Sequence, residues 1–498
     1  MKENAWKGER NMAEIELKRL SEVYFITPDP KSEEREKMFP GYYSHWCPAK
    51  ISHYHLGLRD CVVLIHGPQG CSGNYRQFLC TYVSQYHGAP FVYTPTTDMR
   101  ARDTILGAEE KLREAILQVD KIYKPRVIFI LITCCAAVTK EPVKDVAEDM
   151  EPQLGAERIL VCEAPGFIHY AAGLINMYIS RTLAELFEPP QRKIPNSVNI
   201  LGITKEIHHQ GKFPDDSNEL ERLLNKVGIT VNSVLVQGAT VDDFKRAPEA
   251  EFNTIVCPQW GYPQATEMLD RWEIPHGKGF NPLGVSAISH WLREVGEHFG
   301  IEEKVEGLIA EEYEQIKDIW EEAKKAVSGK IALIDGADPM SSAGRTIAWA
   351  RLCADLGMRP IIYNVPPIEI KGKVHHAMFA LEYGFDPEVV WSTYAFHRRF
   401  TGWKVMKELD LKPEDIGVYM GDVFPRATVD RDDWNKPYFD PSNVPRVISA
   451  THINKNRNSP GRRAGFTGAA RFARDILNAN RMAERNTKPT LYGRLGGI

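Results

Sequence analysis

The sequence predicts an α/β fold made of several doubly wound, Rossmann-like domains with parallel sheets. Short apolar runs rich in β-branched residues recur along the chain, and most are followed by a segment with helical spacing of apolar residues. Strands that alternate with helices in this way form βαβ units and parallel sheets. At 498 residues the chain is too long for one compact core, so roughly two to four domains are expected.

The strands are predicted from the apolar runs, which are short and nearly continuous, as in strands buried on both faces. In chain order they cover Cys61–His66, Arg126–Cys134, Arg158–Glu163, Ser197–Ile203, Ser233–Gln237, Asn253–Cys257, Lys330–Asp335, Pro360–Asn364, Ile416–Met420 and Arg446–Ser449.

The helices and domain boundaries follow from the segments between these runs. Helical spacing predicts helices over Asp103–Ile122, Asp216–Val227, Ala287–Phe299, Glu303–Ser328 and Arg345–Leu356. Proline-rich and charged breaks near residues 189–195 and 325–329 then divide the chain into three α/β domains, 1–195, 196–328 and 329–498.

The composition is that of an ordinary globular protein. Hydrophobic residues make up 43% of the chain, charged residues 26%, and the formal net charge is −4, which argues against a general nucleic-acid binder. The first residues lack the apolar stretch of a signal peptide, and no run is long enough for a transmembrane helix. A cytoplasmic location is therefore expected.

Common nucleotide and zinc motifs are absent from the sequence. There is no G-x-x-x-x-G-K-S/T, C-x-x-C or H-E-x-x-H, and Gly67, Gly70 and Gly73 do not have dinucleotide-binding spacing. The segment 334–346 follows a strand and opens a helix. It is either an anion site at a helix N-terminus or an ordinary turn with a serine cap.

Three of the nine cysteines follow or end predicted strands. They are Cys71 in HGPQGC, Cys134 in FILITCC and Cys257 in NTIVCP. Ligands of open parallel sheets bind at the carboxyl ends of strands, so these thiols are candidates for chemistry. A buried, purely structural role is the competing interpretation, because cysteine is among the most buried residue types.

Cys47, Cys71 and Cys134 form an incomplete set of thiolate ligands. Simple iron–sulfur clusters commonly take four cysteines, so three from one chain suggest that a partner subunit supplies the rest. Gly67 and Gly70 let the backbone approach a bulky group.

Cys135 is expected to point away from Cys134, because neighbouring side chains of an extended strand face opposite sides.

These residues resemble the α (D-type) subunit of nitrogenase component 1 and of nitrogenase-like reductases. Cys47, HGPQGC and TCCAAV match the family's three α-side ligands of the eight-iron P-cluster. Further similarity covers residues 91–116, 252–279 and 464–475, and the resemblance extends from about Tyr43 to Asn478.

The resemblance implies cofactors at the carboxyl ends of the strands and two kinds of partner. Cys47, Cys71 and Cys134, with Gly67 and Gly70 in the intervening turn, would hold a P-cluster-type eight-iron, seven-sulfur cluster shared with a β (K-type) sister subunit. Cys257 would anchor a nitrogenase-cofactor-like cluster and act in catalysis. The assembly would be an α2β2 heterotetramer that receives electrons from an ATP-dependent, homodimeric iron protein.

Two departures from the family pattern concern the active-site cofactor. Ala464 stands where nitrogenase has the histidine that ligates molybdenum, and Leu174 or Ile175 stands where another family histidine lies. They argue against dinitrogen reduction and favour an iron-only, precursor-type cluster. His452 is the candidate second ligand and catalytic residue, although a structural role for a lone histidine competes with this assignment.

Other residues complete the sequence-based assignment. His66 and His397 are weaker alternatives for the second ligand, and His169 is out of register with the family histidine. Cys61, Cys80, Cys162 and Cys353 are expected in the core.

A chain that keeps the cofactor cysteine and loses the molybdenum histidine is similar to methylthio-alkane reductases. Those enzymes reductively cleave carbon–sulfur bonds of small organic sulfur compounds and release methanethiol. A scaffold for nitrogenase-cofactor maturation and a nitrogenase α subunit remain alternatives. Cys257 argues against a fourth class, the protochlorophyllide-type reductases.

Overall fold

The computed structural model describes residues 16–24, 58–73, 95–163, 165, 172–203, 216–236, 238–335, 343–363, 383–391, 402–420 and 464–487. Its elements are, in chain order, β1 (Glu16–Arg19), α1 (Leu20–Tyr24), β2 (Cys61–His66), α2 (Ala101–Leu106), α3 (Glu109–Tyr123), β3 (Val127–Ile132), α4 (Cys134–Thr139), α5 (Val143–Met150), β4 (Arg158–Cys162), α6 (Ala172–Leu183), β5 (Ser197–Ile203), α7 (Asp216–Lys226), β6 (Thr230–Val236), α8 (Val241–Arg246), β7 (Phe252–Ile255), α9 (Pro258–Trp272), α10 (Val285–Phe299), α11 (Glu302–Val327), β8 (Ile331–Asp335), α12 (Ala343–Asp355), β9 (Arg359–Tyr363), β10 (Glu388–Trp391), α13 (Gly402–Glu408), β11 (Ile416–Met420) and α14 (Gly465–Thr487). None of these helices has the length and apolar character needed to cross a membrane.

The strands within the described residues form three sheets, and the predicted α/β class is confirmed. The first sheet has the order β2-β3-β4 and the second the order β6-β5-β7, and both are parallel. The third sheet has the order β1-β10-β9-β8-β11 and is parallel except for β1, which is antiparallel to β10. Its strand order reverses at β8, as in doubly wound folds.

Within each of the first two sheets, the register brings the carboxyl ends of paired strands close together. In the first sheet His66 pairs with Ile132, so β2 and β3 end side by side. In the second sheet Leu201 pairs with Ile255 near the end of β7. The turns that follow neighbouring strands therefore meet at a common edge.

One hydrophobic cluster joins the first and second sheets. It contains Ile65 and Leu131 from the first sheet together with Leu201, Ile255 and Cys257 from the second. Because all five are at most 2% exposed, this shared core fixes the edge that carries Cys257 relative to β2 and β3.

The sequence-based elements are largely present, with instructive differences. The nine predicted strands that fall within the described residues occur, and Arg446–Ser449 lies outside those residues. The predicted helix Asp103–Ile122 is instead two helices, α2 and α3, because Gly107 has a φ of +89° that a helix cannot contain.

Elements that the sequence did not predict have identifiable causes. The strand β1 is polar and β10 is only four residues long, so neither gives a clear apolar run. The helix α9 begins at Pro258 and contains Pro263, and no helix was predicted over this segment. Proline is in fact favoured at the first helical position, where its missing N–H needs no partner.

A buried ion-pair network holds α7 against α11. The guanidinium of Arg222 donates hydrogen bonds of 2.7 and 2.6 Å to the carboxylate of Glu312, and of 2.9 and 3.0 Å to that of Glu219. Lys226 adds a 2.7 Å bond to Glu312, whose side chain is 2% exposed. Burial alone opposes ionisation of Glu312, but the hydrogen bonds from Arg222 and Lys226 outweigh it and hold its pKa below the usual value.

Replacing Glu312 by Gln is expected to lower the free energy of unfolding by about 2–4 kcal/mol near pH 7, because it removes a buried carboxylate that accepts charge-assisted hydrogen bonds from Arg222 and Lys226. A depressed carboxyl pKa stabilises the fold above the usual pKa, and the stabilisation is lost as the pH falls through the depressed pKa. The difference from the wild type should therefore shrink below about pH 4. Urea unfolding at pH 7.5 and at low pH measures both effects.

Glu311→Gln is the matched control, since the Glu311 side chain is 59% exposed and forms its ion pair with Lys226 at the surface. It should change the stability by less than about 1 kcal/mol. Equal losses from the two substitutions would show that the buried position of Glu312 has no special effect.

Candidate functional site

Cys71 and Cys134 lie at the carboxyl ends of neighbouring strands. Cys71 belongs to a short helical turn, 69–73, that follows β2, and its N–H donates to the carbonyl of Pro68 at 3.0 Å. Cys134 is the first residue of α4, directly after β3. Both cysteines are half-buried. The structure thus places these two predicted ligands on adjacent turns of the same edge.

Gly67 and Thr133 bring the two turns into contact. Thr133 donates through its backbone N–H (3.1 Å) and through its hydroxyl (2.9 Å) to the carbonyl of His66. A Cβ at Gly67 would overlap the hydroxyl oxygen of Thr133 and lie 2.7 Å from the Cγ2 of that residue. Gly70, by contrast, has nothing within 4 Å of such an atom. Gly67 is therefore required by the close approach, and Gly70 borders open space.

The side chains of Thr96 and Thr97 hold the backbone of Gly67, in the turn between β2 and Cys71. The N–H of Gly67 donates to the hydroxyl of Thr97 at 3.0 Å, and the hydroxyl of Thr96 donates to the carbonyl of Gly67 at 3.1 Å. Met99 donates a further backbone bond of 2.9 Å to that carbonyl. Both backbone groups of Gly67 are thus satisfied, which restricts the turn that precedes Cys71.

The geometry expected for Cys134 and Cys135 was wrong in one respect. The strand predicted to end at Cys134 stops at Ile132, Thr133 caps the helix, and both cysteines belong to α4. Successive helical residues still point in different directions, so the two thiols diverge as expected. Cys135 packs against the cluster beneath α3 and α5, and burial raises the pKa of its thiol.

Cys257 lies in an enclosed position just after the second sheet, because the strand predicted to end at Cys257 stops at Ile255. It precedes α9 as the N-cap residue, is 2% exposed, and its carbonyl accepts from the N–H groups of Trp260 (3.1 Å) and Gly261 (2.8 Å). Gly202 in β5 has a φ of +84°, and a Cβ there would lie 2.6 Å from the carbonyl oxygen and 2.8 Å from the nitrogen of Cys257. Only glycine permits this approach.

The side chain of Ala464 is packed in the core. Ala464 is 1% exposed and belongs to the largest hydrophobic cluster, where it forms an antiparallel bridge with Leu283. Its N–H donates to a carboxylate oxygen of Asp216 at 2.9 Å. The methyl group offers no ligand atom, so this chain supplies no ligand from residue 464.

Of the cysteines assigned to the core, Cys162 and Cys353 are fully buried and Cys61 is partly buried. Burial raises the pKa of the Cys61 and Cys162 thiols to about 12, and it also raises the pKa of Cys353. These three thiols remain protonated at neutral pH, and a protonated thiol is a poor metal ligand. Cys80 lies outside the described residues.

His66, a weaker candidate for the second ligand, lies in the protein core. It is fully buried at the end of β2, its Nδ1 lies 3.1 Å from the Thr97 hydroxyl, and its Nε2 has no hydrogen-bond partner among the described residues. Burial lowers its pKa to about 4, so the ring is neutral. Cys47, His452, His397 and His169 lie outside the described part of the chain.

The donor set at the first edge fits an incomplete cluster site. Within the described ranges, no three His, Cys, Asp or Glu side chains come close enough together to hold one metal ion. Cys71 and Cys134 are two half-buried thiols on adjacent turns, whereas Cys162 and Cys353 are fully buried, and thiolates are the ligands that iron–sulfur clusters take. Cys47, the third ligand predicted from the sequence, lies outside the described residues.

Sequence reasoning missed the residues that shape these sites without reacting. Gly202, Thr133 and the threonines at 96 and 97 were not singled out. A glycine inside an apolar strand, as in VNILGI, often marks a close backbone approach and was a usable signal for Gly202. The threonines gave no such signal, because their contacts join segments that are distant in sequence.

The α/β fold of this chain has known counterparts. The chain belongs to the family of nitrogenase component 1 type oxidoreductases, whose pattern matches residues 49–401. It is similar to the nitrogenase iron-molybdenum cofactor biosynthesis protein NifE of Methanococcus maripaludis, at 29% identity over 298 residues, 57% of this chain and 58% of the relative. It is also similar to the nitrogenase molybdenum-iron protein alpha chain of Methanosarcina barkeri, at 27% identity over 316 residues, 61% of this chain and 56% of the relative.

The match covers less than two thirds of the length of these curated relatives. The solved structure of nitrogenase Cp1 at pH 5 covers 95% of both chains with a TM-score of 0.65 and 19% identity. This likeness shows that the fold is shared.

Gly67→Ala is expected to destabilise the chain strongly, by about 2 kcal/mol or more, because the new methyl group overlaps Thr133. Gly70→Ala is the matched control in the same turn, and it should change the stability by less than about 0.5 kcal/mol. Thermal unfolding of the two variants compares them directly. Equal melting temperatures would contradict the close approach of Gly67 to Thr133.

Proposed function

We propose that this chain is the catalytic α-type subunit of a nitrogenase-like reductase. In this proposal Cys71 and Cys134, with Cys47, hold one side of a P-cluster-type iron–sulfur cluster, and Cys257 anchors a second cluster. The observation that carries it is the placement of two half-buried cysteines on adjacent strand ends and of a third, enclosed one on the neighbouring sheet. When bound, such clusters supply low-potential electron transfer.

The remaining ligands of the first cluster are assigned to a β (K-type) sister subunit in an α2β2 heterotetramer. Two described thiols and Cys47 fall short of the ligand number that an iron–sulfur cluster needs. The half-burial of Cys71 and Cys134 supports a shared site, because the thiols stay accessible from outside this chain. Gly67 and Thr133 keep the two turns together before the partner binds.

The surroundings of Cys257 suit a reaction that must exclude water. Gly202 places β5 directly against the backbone of Cys257, and the core shared by the first and second sheets encloses it. These contacts fix the thiol and limit solvent access. His452 is the proposed second ligand and catalytic residue.

The proposed reaction is reductive cleavage of a methylthio-alkane. The overall change is R–S–CH3 + 2e− + 2H+ → R–H + CH3SH, in which the carbon–sulfur bond breaks and methanethiol leaves. The buried methyl of Ala464 supports an iron-only, precursor-type cluster, because this residue provides no ligand for a heterometal.

An exposed apolar patch supports docking of an ATP-dependent, homodimeric iron protein. The patch consists of Ile105 and Leu106 on α2 and Val138 on α4, which are 82%, 69% and 67% exposed. The two helices contact each other, and Val138 lies one helical turn from Cys134. Exposed apolar side chains that cluster together are typical of a protein-binding surface. An electron donor bound there would lie beside the first cluster.

A maturation scaffold is the second candidate function. Its specific support is the similarity to the NifE protein of Methanococcus maripaludis, which is named for cofactor biosynthesis. A scaffold would hold its cluster on Cys257 and pass it on without turning over a substrate. The similarity to the Methanosarcina barkeri alpha chain likewise keeps a nitrogenase α subunit as an alternative.

Iron content and turnover of the complex with its sister subunit test these proposals. Cys71→Ala, Cys134→Ala and Cys257→Ala should each lose iron and abolish ATP-dependent release of methanethiol from ethyl methyl sulfide. Cys353→Ala is the matched control and should keep both, because Cys353 is a core thiol.

Full iron content in Cys257→Ala would refute the second cluster. Transfer of iron to an apo-acceptor without any methanethiol would favour the scaffold, and acetylene or dinitrogen reduction would favour a nitrogenase.

Charge introduced into the apolar patch should block the electron donor. Ile105→Glu and Val138→Glu are expected to weaken iron-protein binding at least about tenfold, since burying an unpaired carboxylate at an interface is costly. Ile122→Glu on α3 is the control, with a starting residue that is also exposed, at 64%. Binding measured by sedimentation or by stopped-flow reduction decides the question, and unchanged affinity would place the docking surface elsewhere.

A further inference from the structure

The turn 277–279 runs along the edge of β7 beside Cys257. Asn253 in β7 donates to the carbonyl of Pro275 at 2.9 Å, and Gly277 donates back to the carbonyl of Asn253 at 3.0 Å. At the end of the turn, Gly279 has a φ of +82°. A Cβ there would lie 2.7 Å from Cγ2 of Ile255 and 3.4 Å from Cγ of Pro258. The turn therefore packs on the residues that flank Cys257 on both sides.

The carboxylate of Glu294 holds this turn. It accepts a 3.1 Å hydrogen bond from the N–H of Lys278 and a further backbone hydrogen bond from Gly279. A Cβ on Gly277 would lie 3.3 Å from Cδ of Glu294, so the carboxylate sits directly under the turn. Two successive N–H groups on one carboxylate give charge-assisted bonds, which are stronger than neutral ones.

Tyr383 completes the arrangement from the chain segment that leads into the third sheet. Its hydroxyl donates to the Glu294 carboxylate. Its ring packs against His290, at 4.6 Å between ring centroids, and edge-on against Phe280, at 5.9 Å. Tyr383 thus connects the segment before β10 with the turn beside Cys257.

Burial of the Glu294 carboxylate is energetically unfavourable. Burial raises the pKa of Glu294, and the hydrogen bonds from Tyr383 and from the turn only partly offset that effect. An apolar residue at this position would avoid the desolvation cost but could not accept the two N–H groups. The contacts of Glu294 therefore point to a role in fixing the turn.

We propose that Glu294 and Tyr383 are positioning residues for Cys257. The Glu294 carboxylate holds the turn 277–279 against Pro258, and the Tyr383 hydroxyl holds the carboxylate in place, so that the Cys257 thiol stays enclosed and in one position. The inference rests on the proposed function only in taking Cys257 as the anchoring thiol. It requires no cluster to be present.

Alkylation of Cys257 in the full-length, iron-depleted chain tests the proposal. Iodoacetamide labelling is followed for each cysteine peptide by mass spectrometry, and amide hydrogen exchange is followed for residues 277–279. Glu294→Gln replaces an acceptor oxygen by an NH2 group that faces the backbone donors, and Tyr383→Phe removes one hydroxyl. Each should raise the Cys257 labelling rate and the exchange rate of the turn about tenfold, which corresponds to about 1.4 kcal/mol.

Cys162 and Cys353 are internal controls, because both are fully buried and would be labelled faster only if the surrounding core opened. Their labelling should stay at the wild-type rate. Glu297→Gln, an exposed residue of the same helix, should leave Cys257 unchanged as well. Unchanged Cys257 labelling in Tyr383→Phe, or an equal rise at all three cysteines, would overturn the proposal.

Tyr383→Phe decides the outcome if Glu294→Gln does not fold. The result is also separable from the proposed function. If Cys257→Ala keeps its iron, the second cluster is refuted, whereas faster labelling of Cys257 in Tyr383→Phe would still establish the positioning role.

Discussion

The organisation of this protein depends on backbone segments that approach more closely than a Cβ atom allows. Gly67 meets Thr133 where β2 and β3 end, and Gly202 meets Cys257 where β5 and β7 end. Parallel strands about 4.8 Å apart bring their following turns to one edge, but ordinary side chains would keep those turns separate. The two glycines remove that obstacle, so the turn before Cys71 can pack on the Thr133 side chain and β5 can pack on the backbone of Cys257.

Much of the fold could be predicted from local pattern. Continuous apolar runs gave the buried strands, and β2, β5 and β11 were predicted with the observed ends. Prediction failed where the determining contacts lie elsewhere in the chain. The edge strand β1 is polar and exists through pairing with β10, and α9 forms although no helix was predicted over its segment. Long-range packing decides such segments, and a single sequence does not display it.

The candidate site likewise contains residues that the sequence predicts and residues that it does not. Cys71, Cys134 and Cys257 could be identified because their strand-end positions are visible in sequence, and the structure places Cys71 and Cys134 on adjacent turns. The supporting residues could not. Thr97 is 30 residues from Gly67, and Tyr383 is 89 residues from Glu294. These partners have no shared motif, so only the folded chain shows that they act together. The domain boundaries at residues 195 and 328 and the role of His452 remain predictions.

Ala464 bears on how members of this family could diverge. Its methyl group is enclosed next to Leu283, and its N–H is bound by Asp216. An imidazole at this position would overfill a packed core and bring in polar atoms that need partners. A histidine at residue 464 would therefore be poorly tolerated as a single change. Neighbouring residues would have to change with it, so the effect of such a substitution depends on the side chains around it.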